Sequence, residues 1–281
     1  MSRRFLQLDV FAERPGCGNP LAVVVDADGL DDATMQAFAR WTQLSETVFL
    51  FAPSPGADYR VRIFTPTLEL PFAGHPSVGA AWAALECGLA TPAGELMLQE
   101  CGAGQLPVRV GPGRTIAIRA PRAQRLDDPA GAARVEALLA GTRRGALAPA
   151  LWSNGPRWWL AELTDEAQVR TWRPDLAAIT ALANGDASVG FAVFATVGDD
   201  VVVRAFCPAD GVPEDPVTGS VNAMIAAALA EAGRLSRGAA YTAHQGREVG
   251  RDGRIEVRID DDGEVWIGGR VQRVIQGTLD W

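Results

Sequence analysis

The chain has 281 residues, 48% apolar and 21% charged, a globular balance with room for one large core or two moderate ones. A formal charge of −8 offers no general cationic surface for nucleic acid, and no apolar run reaches the ~20 residues of a membrane span. All 26 basic residues are arginine, so lysine Schiff bases, pyridoxal phosphate and the Gly-Lys phosphate loop are excluded.

Other routes close in the same way. No G-x-G-x-x-G follows a strand signal, so no dinucleotide cofactor is expected. The two histidines, His75 and His244, are far apart, and the four cysteines show no C-x-x-C spacing, so no metal is expected either. The acidic "DDDG" at 260–263 reads as a turn rather than a calcium loop. The opening "MSRRFLQLDVF" is too short in its apolar part for an export signal, which makes the cytoplasm, and reduced thiols, the expectation.

In chain order, short β-branched and aromatic runs bounded by Gly, Pro or Asp predict strands at "FLQLDVF" (5–11) and "PLAVVVD" (20–26). "DDATMQAFARWTQ" (31–43) predicts an amphipathic helix with Met35, Phe38, Ala39 and Thr42 on one side. Strands follow at "ETVFLFA" (46–52) and "YRVRIFTP" (59–66). "PSVGAAWAALECG" (76–88) is apolar almost all round, the pattern of a fully buried helix. "TIAIRAP" (115–121) is a strand, and polar "RAPRAQRLDDPAG" (119–131) looks like a crossing. A surface helix at "AARVEALLAG" (132–141) precedes strands at "WWLAEL" (158–163), "GFAVFATV" (190–197) and "DVVVRAF" (200–206). A second all-apolar helix, "PVTGSVNAMIAAALAEAG" (216–233), is followed by strands at "RIEVRI" (254–259) and "EVWIGG" (264–269).

A helix buried on all sides in a strand-rich chain implies that strands wrap it, and there are two such helices. Each carries a Pro at its expected first helical position, Pro76 and Pro216, and a Gly where it would end, Gly88 and Gly233. "HPSVGA" (75–80) and "DPVTGS" (215–220) repeat one pattern, and upstream Arg62, Phe64, Pro66 and Pro71 match Arg204, Phe206, Pro208 and Pro213. The fold class is therefore α+β, with two pseudo-symmetric lobes, each a β-barrel-like wrap around one buried helix. Residues 1–118 form the first lobe, joined by the returning segment 271–281, and residues 119–270 form the second.

As a helix start, Asp215 before Pro216 reads first as a cap, whereas His75 is a poor cap. Two uncovered helix ends brought to one cleft, one with His75 and one with Asp215, would bind a carboxylate between titratable groups. Trp152, Trp158 and Trp159 are candidates for pocket lining or for core filling.

The segments "GCGNPLAVV" (16–24), "LSETVFL" (44–50), "RIFTPTLELPFAGHPSVGAA" (62–81), "RAFCPADGVPEDPVTGSV" (204–221) and "VWIGG" (265–269) resemble the PhzF family of phenazine-biosynthesis-like proteins, which has the diaminopimelate epimerase fold. The resemblance spans almost the whole chain and implies a cofactor-independent isomerase and a homodimer. It implies Glu46 as the acid–base residue, a role that nothing else in the sequence assigns to it. It also implies His75 and Asp215 beside the substrate and Gly74, Gly219 and Ser220 at the helix ends that hold it. The substrate implied is a small carboxylate such as trans-2,3-dihydro-3-hydroxyanthranilate. An amino-acid epimerase of the same fold and a non-catalytic small-molecule binder are the alternatives. The related two-thiol racemases carry cysteines where the resemblance aligns His75 and Asp215, and none of this chain's cysteines lies there.

Overall fold

The computed structural model describes residues 2–281. The chain divides into two compact units, residues 2–119 with 268–281, and residues 120–267. The first holds β1 (Arg3–Val10), β2 (Asn19–Val24), α1 (Asp32–Thr42), β3 (Thr47–Phe51), β4 (Tyr59–Phe64), β5 (Glu69–Leu70), α2 (Gly74–Glu86), β6 (Leu96–Cys101), β7 (Gly104–Val110) and β8 (Ile116–Arg119). The second holds β9 (Gln124–Leu126), α3 (Pro129–Leu138), β10 (Ala150–Ser153), β11 (Arg157–Glu162), α4 (Glu166–Thr171), α5 (Leu176–Asp186), β12 (Gly190–Val197), β13 (Asp200–Cys207), β14 (Val212–Asp215), α6 (Gly219–Glu231), β15 (Ala240–Gln245) and β16 (Gly253–Ile259). β17 (Val265–Gly269) and β18 (Val271–Leu279) complete the chain.

Every strand and helix expected from the sequence is present. Two of the strands that the pattern did not announce have a physical reason for their silence. β7 carries Pro107 in mid-strand, opposite Leu98, a residue that ordinarily argues against a strand. β18 contains Gly277 and is exposed along most of its length, so it shows no apolar alternation.

The two units share one pairing scheme. In the first, β18–β1 and β1–β2 are antiparallel, β2–β3 is parallel and β3–β4 is antiparallel. β4 then pairs with β5 antiparallel and with β6 parallel, and β6 with β7 antiparallel. The second unit repeats the series with β9, β10, β11, β12, β13, β14, β15 and β16 in the same senses. The fold is α+β with two pseudo-symmetric halves.

Each half is built on its buried helix. α2 touches β1, β2, β3, β4, β8 and β18, so strands surround it. Gly79 permits that closeness: a Cβ there would stand 2.3 Å from Leu21 Cδ2. α2 and α6 are both 13 residues long and end alike. Gly88 and Gly233 each have φ near 70°, and the next amide, Leu89 or Arg234, returns to Ala84 O or Leu229 O at 2.8 Å. This is a Schellman closure, which satisfies the last carbonyls and needs a glycine at the left-handed position.

The register of the repeat differs from the sequence match. Ile63 pairs with Leu70 on β5, and Ala205 pairs with Asp215 on β14. Leu70, not His75, is therefore the counterpart of Asp215, and Gly74 and Gly219 then begin the two helices four residues later. Side chains confirm it: Arg62 binds Glu69 through two bonds of 2.7 and 2.6 Å, and Arg204 binds Glu214 through two of 2.9 and 2.8 Å. The shared "P-x-x-G" phrase misled because it follows a hairpin that is longer in the second half, from Ala205 to Asp215 against Ile63 to Leu70. Asp215 ends a strand and is not the helix cap. Pro76 is the third residue of α2, while Pro216 precedes α6 by three.

Candidate active site

The first unit brings Glu46 and His75 together. α1 stops at Gln43, whose φ of 56° turns the chain out of the helix. Three residues further, Glu46 immediately precedes β3, where Thr47 is fully buried. Glu46 Oε2 lies 3.4 Å from His75 Nε2, with the side chains 17% and 8% exposed. Burial pushes the Glu46 carboxyl up to about 7, against the opposing effect of a hydrogen bond from Ser45. A carboxyl poised there takes up and returns a proton near neutral pH. His75 is the second residue of α2, directly after Gly74, so both sit in the helix's first turn.

The second unit places Asp215, Gly219 and Ser220 at the corresponding corner. Asp215 ends β14 and its Oδ2 accepts from Thr218 Oγ1 at 2.6 Å. Gly219 and Ser220 open α6, and the Ser220 carbonyl accepts from Asn154 Nδ2 at 3.2 Å. Val221 and Asn222 are wholly buried in the helix. Trp159 fills the core, 1% exposed, with its indole N–H on Asp186 Oδ2 at 2.7 Å. Trp152 borders a cavity of about 230 Å³ beside Leu160, Glu162 and Phe194. Trp158 is also buried.

The helix starts divide into two kinds. α1, α3, α4 and α5 each have an aspartate cap, Asp31, Asp128, Asp165 and Asp175, accepting from the amide three residues on. α2 and α6 have no side-chain cap bond; their N-cap residues are Ala73 and Thr218. The positive dipole ends of these two buried helices are thus not covered by a capping side chain. Sequence reasoning missed Thr218 and Gln245, which bonds to it. Nothing in "AYTAHQG" (240–246) marked a strand, so Gln245 had no place in the reading.

The family model described as phenazine biosynthesis-like protein matches residues 8–277. The chain belongs to that family. The trans-2,3-dihydro-3-hydroxyanthranilate isomerase of Pseudomonas aeruginosa is 35% identical over 268 residues, with 93% of this chain and 92% of the relative covered. Antisense-enhancing sequence 1 of Schizosaccharomyces pombe is 32% identical over 287 residues, with 97% of each chain covered. Among solved structures, a PhzF-family phenazine biosynthesis protein of Bacillus anthracis covers 100% of both chains at a TM-score of 0.85 and 24% identity. A probable proline racemase from Agrobacterium radiobacter matches at a TM-score of 0.66 and 13% identity, over 99% of this chain and 93% of the racemase. That likeness establishes a shared fold, and it fits the epimerase-like architecture of the PhzF family.

Proposed function

We propose that this PhzF-family protein is an isomerase that moves a proton between carbons of a small carboxylate without a cofactor, with Glu46 as acid and base. The observation that carries this reading is the Glu46 carboxyl, desolvated and raised to about 7, 3.4 Å from His75. The carboxylate takes a proton from one carbon, leaving the electron pair delocalised in the substrate. The resulting acid returns the proton to a second carbon, and charge and atoms balance over the cycle. His75 supports the carboxyl that changes charge beside it. The uncapped starts of α2 and α6, at Gly74, Gly219 and Ser220, favour a carboxylated substrate. Asp215 is assigned to substrate binding.

The substrate class follows from relatives named trans-2,3-dihydro-3-hydroxyanthranilate isomerase. No helix among the described residues is long and apolar enough to cross a membrane. A homodimer belongs to the same proposal and is supported by Val274 and Ile275 of β18, each about half exposed; light scattering on the eluting protein reads it directly.

The test is incubation with trans-2,3-dihydro-3-hydroxyanthranilate in deuterated water, followed by NMR of the product. Conversion with deuterium at the protonated carbon is the expected result. Exchange confined to the α-carbon of amino acids would favour the epimerase alternative, and saturable binding of the substrate with no exchange would mark a binder.

A further inference from the structure

Four buried polar groups behind Asp215 have only one consistent hydrogen-bond arrangement. We infer that Gln245, acting through Thr218, is a positioning residue that holds the Asp215 carboxylate as an obligate hydrogen-bond acceptor. The role rests on Asp215 binding substrate, as proposed above.

Gln245 is 1% exposed. The orientation of its amide is fixed by two groups that can play only one part each. The Asp215 carbonyl can only accept, and Gln245 Nε2 reaches it at 2.9 Å. The Thr218 amide can only donate, and it reaches Gln245 Oε1 at 3.1 Å. Asn222 Nδ2 gives the same oxygen a second donor at 3.2 Å. With the amide so oriented, Nε2 also donates to Thr218 Oγ1 at 2.8 Å. Having accepted there, the hydroxyl turns its own proton to Asp215 Oδ2 at 2.6 Å. That oxygen cannot then carry the acid proton, and a bond of this kind favours the ionised form. With Oδ2 committed as an acceptor and the carboxylate so favoured, Asp215 is inferred to accept through Oδ1 from a donor on the substrate, an amine or a hydroxyl, and proton transfer is left to Glu46.

The fold does not require this relay. By the strand registers, Leu70 stands in the first unit where Asp215 stands in the second, Ala73 where Thr218 stands, and Cys101 where Gln245 stands. An equally long, equally buried helix forms there without any of the three. The relay also explains why Thr218, a good capping residue, does not cap α6: its hydroxyl is committed to Asp215.

The experiment is a carbon-13 NMR titration of Asp215 in aspartate-labelled full-length protein, for wild type, Thr218→Val, Thr218→Ser and Gln245→Met. Valine keeps the shape of threonine and removes the donor, and serine restores the donor. Charged or titratable groups on the elements packed around this corner include Asp200 and Arg204 on β13, Glu214 on β14, His244 on β15, and Arg247, Glu248, Arg251 and Asp252 between β15 and β16. All are common to the four proteins, so the valine–serine difference isolates the hydroxyl proton. Thr218→Val should raise the Asp215 pKa by about one to two units, Gln245→Met by less, and Thr218→Ser by almost nothing. With trans-2,3-dihydro-3-hydroxyanthranilate as the probe, KM should rise more than kcat falls in Thr218→Val, and serine should rescue it. An Asp215 titration unchanged in Thr218→Val overturns the inference whatever the substrate proves to be. A shifted titration with unaltered KM leaves the relay standing and overturns the assignment of Asp215 to substrate binding.

Discussion

The two halves keep the same strand order and the same Arg–Glu clasp, yet differ at nearly every polar position near the start of their buried helices. Arg62 and Arg204 each grip a glutamate and lie over a phenylalanine ring, at 5.2 and 5.0 Å from its centre. By contrast Glu46, aligned through the Thr47–Phe64 and Phe191–Phe206 pairs, corresponds to Gly190. His75 corresponds to Ser220, and Leu70 to Asp215. Both copies share the scaffold, whereas the polar groups differ: the first half carries the buried Glu46 carboxyl, proposed above as acid and base, and the second carries Asp215 with the Thr218 hydroxyl bonded to it.

The largest expected effect tests that one-sidedness. Glu46→Gln keeps shape and an accepting oxygen, and should lose roughly 10²–10⁴-fold in deuterium incorporation, the usual worth of a positioned acid–base group. Wild-type incorporation in this variant would transfer the role to His75. The second half cannot supply a substitute base at Gly190. A Cβ there would stand 1.9 Å from the Phe206 carbonyl oxygen, so Gly190→Ala should cost about 3 kcal/mol or more in urea unfolding.

The clasps should separate by burial. The Arg204 side chain is 4% exposed and also donates to the Val169 and Trp172 carbonyls at 3.2 and 2.8 Å. Arg204→Met leaves a buried carboxylate and two carbonyls without their donor, and should cost about 3–5 kcal/mol. The Arg62 side chain is 20% exposed and pairs with Glu69 and Asp32 near solvent; Arg62→Met should cost about 1 kcal/mol. Equal losses in urea unfolding would mean that the clasps are not distinguished by their surroundings.

Glu46 also yields a stability prediction of definite sign. Burial raises its carboxyl from the ordinary 4.5 to about 7 in the folded protein, so the folded state binds the extra proton between those values. Stability at this site is therefore highest below about 4.5 and falls as pH rises through 7. Glu46→Gln should be more stable than wild type at pH 8, by up to about 3 kcal/mol, with the difference vanishing near pH 4.5. Melting temperatures of the two proteins across that range check it.

Much of this was legible in the sequence for physical reasons. The two central helices announced themselves because full burial leaves no polar face, and Gly88 and Gly233 marked their ends because only glycine adopts the closing conformation without strain. The register of the repeat was not legible. A hairpin's length is set by pairings such as Ala205 with Asp215, and a short Pro-and-Gly phrase carries no information about them. Glu46 was equally silent, since its raised pKa comes from burial, a property of tertiary structure. Only the family resemblance singled it out.

The smallest effect probes the uncapped helix starts. In α3, Asp128 Oδ1 accepts from the Gly131 amide at 2.9 Å, and Asp128→Ala should cost about 1 kcal/mol with no change in turnover. Ala73 is the N-cap of α2 and offers its first turn nothing. Ala73→Ser introduces a hydroxyl whose accessible donor is the His75 amide, two residues on, because Pro76 three residues on has no N–H; it should stabilise the protein by up to about 1 kcal/mol. The same bond takes a donor away from the substrate carboxylate. Affinity for 3-hydroxyanthranilate, measured by calorimetry, should therefore fall as the melting temperature rises. Both changes should be absent when serine is placed instead at an exposed loop position such as Ala103. If Ala73→Ser gains stability and binds as wild type does, the start of α2 does not hold the carboxylate, and the α6 start becomes the site to test next.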